Sequence, residues 1–142
     1  MEELINLIHD DGNPRVVVTM RGPSFCVFRL FLQPPNSSGW RLILEADNRN
    51  DAQQEIKLDP NRPAPVIDPT FVVGDGVEDF QGWKFGWFIT FFGFNNIDDE
   101  PYDVTIEVFQ NSGAVMLPPF QKKGTFNGPT KSFNGQRKFV VA

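Results

Sequence analysis

The residues best suited to nucleophilic or acid–base chemistry are few: His9 is the sole histidine and Cys26 the sole cysteine. A Cys–His pair needs thiol and imidazole within hydrogen-bond reach, with a third group orienting the ring. Cys26 lies in an apolar run between Phe25 and Val27, the setting of a buried, unreactive thiol. His9 stands beside Asp10 and Asp11 and reads as a turn residue. Glu45, Glu55 and Glu107 fall on expected strands, and a glycoside-cleaving pair would need two such carboxyls roughly 5–10 Å apart across a cleft. Spacing along the chain does not bring any two of them together. No glycine-rich phosphate loop and no Gly-x-Ser-x-Gly elbow occurs. The sequence points away from an enzyme, and a small carboxylate hydrolase ranks third among three readings.

Binding chemistry is better represented. A sugar presents C–H groups on one face and hydroxyls at its edge, so its sites pair an exposed aromatic ring with nearby polar side chains. Trp40 follows Ser37, Ser38 and Gly39, and Trp83 follows Gln81 and Gly82. Asp47 and Asp51 bracket a further polar turn. Trp40, Trp83, Asp47 and Asp51 are therefore the candidate ligand residues. Trp83 shares an alternating face with Phe85, Trp87 and Ile89, which also suits a core position, whereas Trp40 at a loop-to-strand junction suits exposure.

No cofactor is expected, with calcium the one candidate. Residues 95–103 crowd Asp98, Asp99, Glu100 and Asp103 into one acidic loop, and calcium takes six to eight oxygens from such turns. The spacing does not match an EF-hand, and Asp and Asn favour turns for local backbone reasons, which is the simpler reading.

The stretch from Phe80 to Phe94 is the most unusual. Its odd positions, Trp83 to Phe91, are apolar throughout, and its even positions turn apolar over the second half, where Phe88, Phe92 and Phe94 flank Thr90. A strand apolar on both faces must be covered twice. Either a loop folds over Phe88 and Phe92, or Phe88, Phe92 and Phe94 form a subunit interface. Gly86 and Gly93 suit a bulge or the close approach of another group.

These side chains need elements to hold them, and the sequence describes strands. Short apolar or alternating runs at residues 15–20, 25–32, 40–46, 53–58 and 102–110 are separated by Gly, Pro, Asn and Asp clusters. Residues 1–9 fit one short helix or a strand equally well. Nine to eleven short strands make a single-domain, all-β antiparallel sandwich, jelly-roll-like, spanning residues 1–142, with a barrel as the alternative. Residues 59–69 hold four prolines and read as a crossover between the sheets, since proline cannot serve a central strand.

Composition sets the outer bounds. The 142 residues carry a net charge of −5, with fifteen Phe and three Trp. No apolar run is long enough for a membrane-spanning helix, and the first residues lack a secretory-leader pattern. A single cysteine excludes an intrachain disulfide framework. The expected setting is the cytoplasm, or release without a signal peptide. All acidic side chains lie within residues 1–107, while residues 108–142 carry Lys122, Lys123, Lys131, Arg137 and Lys138. Five spread charges on an acidic body make a poor nucleic-acid groove. The expected partners are a glycan or another protein, together with further copies of the chain. The leading reading is a lectin-like carbohydrate-binding module, and the second is a self-assembling structural protein that uses residues 83–94.

Overall fold

The computed structural model describes residues 3–21, 24–49, 53–57, 77–93 and 100–141. In chain order the strands are β1 Leu4–Leu7, β2 Arg15–Arg21, β3 Phe25–Gln33, β4 Arg41–Asp47, β5 Gln53–Lys57, β6 Lys84–Phe92, β7 Glu100–Gln110, β8 Gly113–Ala114, β9 Phe120–Phe126 and β10 Thr130–Val141. One turn of 3-10 helix at Val77–Phe80 precedes β6. Sheet 1 has the order β1-β10-β6-β3-β4, and sheet 2 the order β5-β2-β7, with β8 and β9 in series along the far edge of β7. The two sheets stay separate, so the architecture is an all-β sandwich and not a barrel.

Period-two alternation explains the core. Cys26, Phe28, Leu30 and Leu32 of β3 and Phe85, Trp87, Ile89 and Phe91 of β6 point inward. They meet Val16, Val18 and Met20 of β2 and Val104, Ile106 and Val108 of β7. Burying each large side chain contributes about 1.5–3 kcal/mol, which offsets part of the chain entropy lost on ordering. The N-terminal segment resolves as strand: Ile5 and Leu7 are fully buried beneath β10, to which β1 pairs in parallel. A short helix would have satisfied its own backbone and left that edge of β10 unpaired.

A β-bulge in β4 breaks the alternation expected over residues 40–46. Leu30 pairs with Leu44 and Phe31 with Leu42, which leaves Ile43 as the extra residue. Leu44 and Ala46 pack against the core, and Ile43 is also buried. Beyond the bulge the phase reverses, so Leu42 and Trp40 join Phe31 on the outer face. The simple expectation placed Trp40, Leu42, Leu44 and Ala46 on one face, and the extra residue corrects it.

A buried amide ties the sheets together at one end. Gln110, at the end of β7, accepts from the Ile8 N–H at 2.7 Å and donates to the Ile8 and Gly12 carbonyls at 2.9 and 2.8 Å. Both of its N–H donors and its oxygen are engaged by the connection from β1 to β2. The proline-rich residues 59–69 lie outside the described residues.

Candidate functional site

The outer face of sheet 1 carries the candidate site. Pro34 and Pro35 end β3, Asn36 adopts a left-handed φ of 61°, and the Ser37 hydroxyl accepts from the Gly39 N–H at 3.1 Å. These features turn the chain back and deliver Trp40 at the start of β4. Its benzo ring approaches β6 so closely that a Cβ added at Gly86 would lie 2.9 Å from Trp40 Cζ3 and 3.0 Å from Cη2. Only glycine leaves room for the indole there. Phe31 meets the ring nearly edge-on, with centroids 6.5 Å apart.

Across this seat, β10 places Asn134 opposite Phe88 and Gln136 opposite Gly86. Partners in register project to one face, so two exposed amides stand beside the aromatic group. Phe31, Trp40, Gly86, Phe88, Asn134 and Gln136 are the main lining of a groove of about 490 Å³. Trp40 is 41% exposed and Phe88 40%, both high for such large apolar side chains. Next to the groove lies a recess of about 250 Å³, lined by the 33–37 segment together with Gly82, Lys84 and Lys138.

Trp40 stands where the sequence placed it, exposed and beside loop polar groups. Trp83 is a core residue instead: it is buried, its N–H donates to the Phe80 carbonyl, and its carbonyl accepts from Phe139. It shares the inward face of β6, and no ligand can stack on it. Asp47 lies at the opposite end of β4 from Trp40, about 20 Å away at strand rise. The Arg49 backbone N–H and guanidinium both donate to Asp47, at 3.0 Å each, and hold its carboxyl below the usual carboxylate range. Asp47 is thus occupied by its own turn and does not join the groove. Asp51 lies outside the described residues.

The calcium expectation meets strand geometry. Asp98 and Asp99 fall outside the described residues, while Glu100 and Asp103 sit three apart on β7. An odd separation puts the two on opposite faces. Glu100 turns inward, close enough to Gly93 that a Cβ there would meet its Oε2 at 2.9 Å, whereas Asp103 turns outward between Arg21 and Lys123 in register. These two cannot ligate a single ion. Among the described residues no three His, Cys, Asp or Glu side chains gather to hold a metal.

Of the expected interface residues, Phe88 lines the groove and Phe94 lies outside the described residues. Phe92 is half-buried against Phe25 on the outer face, with centroids 5.7 Å apart. Burial pushes the Cys26 thiol up to about 12, with the Asp47 charge adding to the shift, so the sulfur stays protonated. His9 pairs with Asp10 just past β1, which β10 and β6 separate from β3 by about 14 Å. Glu45 pairs with Arg29 on the outer face of sheet 1, while Glu107 lies on the outer face of sheet 2. Neither a Cys–His pair nor a Glu45–Glu107 carboxyl pair forms.

The groove residues Phe31, Asn134 and Gln136 escaped the sequence reading. Alternation along residues 130–141 marks Asn134 and Gln136 as outward. Only the pairing of β10 with β6 reveals what they stand beside.

The class that emerges is an all-β sandwich with an aromatic and amide groove on one outer sheet face. No protein-family model and no curated protein matches the sequence. Among solved structures, the chain is similar to a DUF4425 family protein from Bacteroides ovatus, a likeness too distant to carry function. The two align over 89% of this chain and 95% of that one, at 8% identity and a TM-score of 0.49. Among the described residues no helix is long and apolar enough to cross a membrane.

Proposed function

We propose that this chain is a non-catalytic binding module that recognises carbohydrate in a lectin-like manner on the outer face of sheet 1. The observation that carries this reading is the exposed Trp40 ring, seated on Gly86 beside the amides of Asn134 and Gln136. A pyranose can lay its C–H face on the indole while its edge hydroxyls exchange hydrogen bonds with the two amides. Small-molecule sites are commonly about 300–1,000 Å³, mostly apolar, with a few placed polar groups, and the groove fits that description. Because one seat offers little area, useful affinity would come from several copies acting together, which fits an oligomer.

Fluorescence tests the reading directly, since Trp83 and Trp87 are buried and Trp40 is the exposed reporter. Titration with a panel of neutral and acidic oligosaccharides should shift the emission for at least one of them. Trp40→Ala should weaken that binding by about tenfold or more while changing stability by no more than about 1 kcal/mol. Asp47→Ala should leave binding unchanged. An emission spectrum unmoved by the whole panel, or unaltered affinity in Trp40→Ala, overturns the reading.

A second reading, a self-assembling protein using the aromatic strand, is favoured by the 40% exposure of Phe88 and by Phe25 and Phe92 on the same face. Light scattering distinguishes it: concentration-dependent association that Phe88→Ser abolishes supports it, and a monomer at high concentration removes it.

A further inference from the structure

The groove and the polar recess both draw on outward positions of β6 and β10, and residues 33–37, which lead into Trp40, line the recess. Asn36 and Ser37 line the recess together with Lys84 and Lys138. These two lysines are direct cross-strand partners on β6 and β10. Their side chains therefore leave the same face side by side, and like charges so placed are destabilising unless an anion lies between them. Arg29, on the same face, is matched by Glu45. By contrast, no carboxylate among the described residues pairs with Lys84 or Lys138. Two adjacent ammonium groups with no carboxylate partner among the described residues form a local exception on a chain of net charge −5. Lys84 is two residues from Gly86, about 7 Å along the strand, so the cationic pair lies beside the indole seat.

Resting on the carbohydrate reading above, we propose that the ligand is an acidic oligosaccharide. One sugar ring stacks on Trp40, and a neighbouring carboxylate or sulfate sits between Lys84 and Lys138. The lysines supply charge-assisted hydrogen bonds, and Asn36 and Ser37 complete the polar wall.

The test is calorimetric titration with a galacturonate hexamer, its carboxyl-reduced neutral counterpart, a sulfated κ-carrageenan hexasaccharide and hexaglutamate. At low salt, at least one acidic sugar should bind about tenfold or more tightly than the neutral hexamer. That preference should shrink as NaCl rises to about 0.5 M. The double variant Lys84→Gln, Lys138→Gln should bind acidic and neutral sugars alike, and its melting temperature should be no lower than that of the parent, because a repulsion has been removed. Equal, Trp40-dependent binding of acidic and neutral sugars by the parent overturns this inference and leaves the carbohydrate reading standing. No binding of any sugar overturns both. Hexaglutamate binding as tightly as the sugars assigns the site to acidic peptides, and an acid preference that survives in the double variant places the anion elsewhere. Either result overturns the proposal.

Discussion

Gly86 and Gly135 occupy neighbouring strands and face opposite ways, so the same substitution probes two different environments. A Cβ at Gly135 would meet Trp87 Cζ2 at 2.5 Å and Cε2 at 2.7 Å. Trp87 is 4% exposed and held by Phe120 and Phe85, with centroids 4.9 and 5.6 Å away, so the ring has nowhere to retreat. Gly135→Ala should therefore cost about 1–3 kcal/mol in urea denaturation, as over-packing of a filled core does. At Gly86 the obstructing group is Trp40, whose ring can swing into solvent. Gly86→Ala should change stability by only about 0.5 kcal/mol, yet shift Trp40 emission to the red and weaken ligand binding. Equal stability losses in the two variants would mean that Trp40 is locked in place as firmly as Trp87. At this scale the sequence was informative wherever local context decides the outcome. A tryptophan at a loop-to-strand junction is exposed, and one phased with Phe85 and Ile89 is buried. A glycine amid aromatics marks close approach, but which ring approaches it depends on a strand more than forty residues away.

Alternation marked the apolar faces of β6 and β7, which the core holds in place because a one-residue slip would drive polar side chains inward. It failed in β4, where the extra residue Ile43 reverses the phase, and a bulge leaves no trace in a pattern that is apolar at Leu42, Ile43 and Leu44 alike. That reversal is what turns Trp40 outward. Strand geometry likewise separates Glu100 from Asp103, which loop composition alone had grouped as metal ligands. The connection from β1 to β2 depends on another position that the sequence did not single out, Gln110. Its 2% exposure and three hydrogen bonds make it a tie between the sheets. Gln110→Leu keeps much of the volume but leaves the Ile8 N–H and the Ile8 and Gly12 carbonyls without this partner. The expected loss is about 2–4 kcal/mol, measured by the urea midpoint at constant m-value. Faster amide exchange confined to residues 8–12 would localise the effect. A loss under about 0.5 kcal/mol would show that water replaces the amide without penalty.

The order of sheet 1 places β10 between β1 and β6, so its assembly requires segments more than a hundred residues apart to meet. The groove has the same character, with Trp40 contributed by the loop that enters β4, Phe88 by β6 and Asn134 by β10. No local pattern encodes such pairings, which is why the strands were legible and the site was not. The same topology governs how the molecule forms. β10 supplies the fully buried Phe139 and the half-buried Phe133, covers one edge of β6, and holds β1 in register. A chain ending at Pro129 would lose that buried surface and expose the unpaired edges of β1 and β6 together. It should therefore show no cooperative urea transition, and its far-UV circular dichroism should lack the strand signal of the longer chain. Since sheet 1 is closed by pairings between segments at opposite ends of the chain, refolding should be slow, on the order of milliseconds to seconds. Substitutions such as Phe139→Leu that weaken the β10 contacts should then test whether this strand docks before or after the rate-limiting step. Slowed refolding would place its docking before the barrier, and faster unfolding alone would place it after. A cooperative transition in the 1–129 chain would instead show that β3, β4 and β6 form a stable layer with sheet 2 unaided, and that β10 only seals a structure already built.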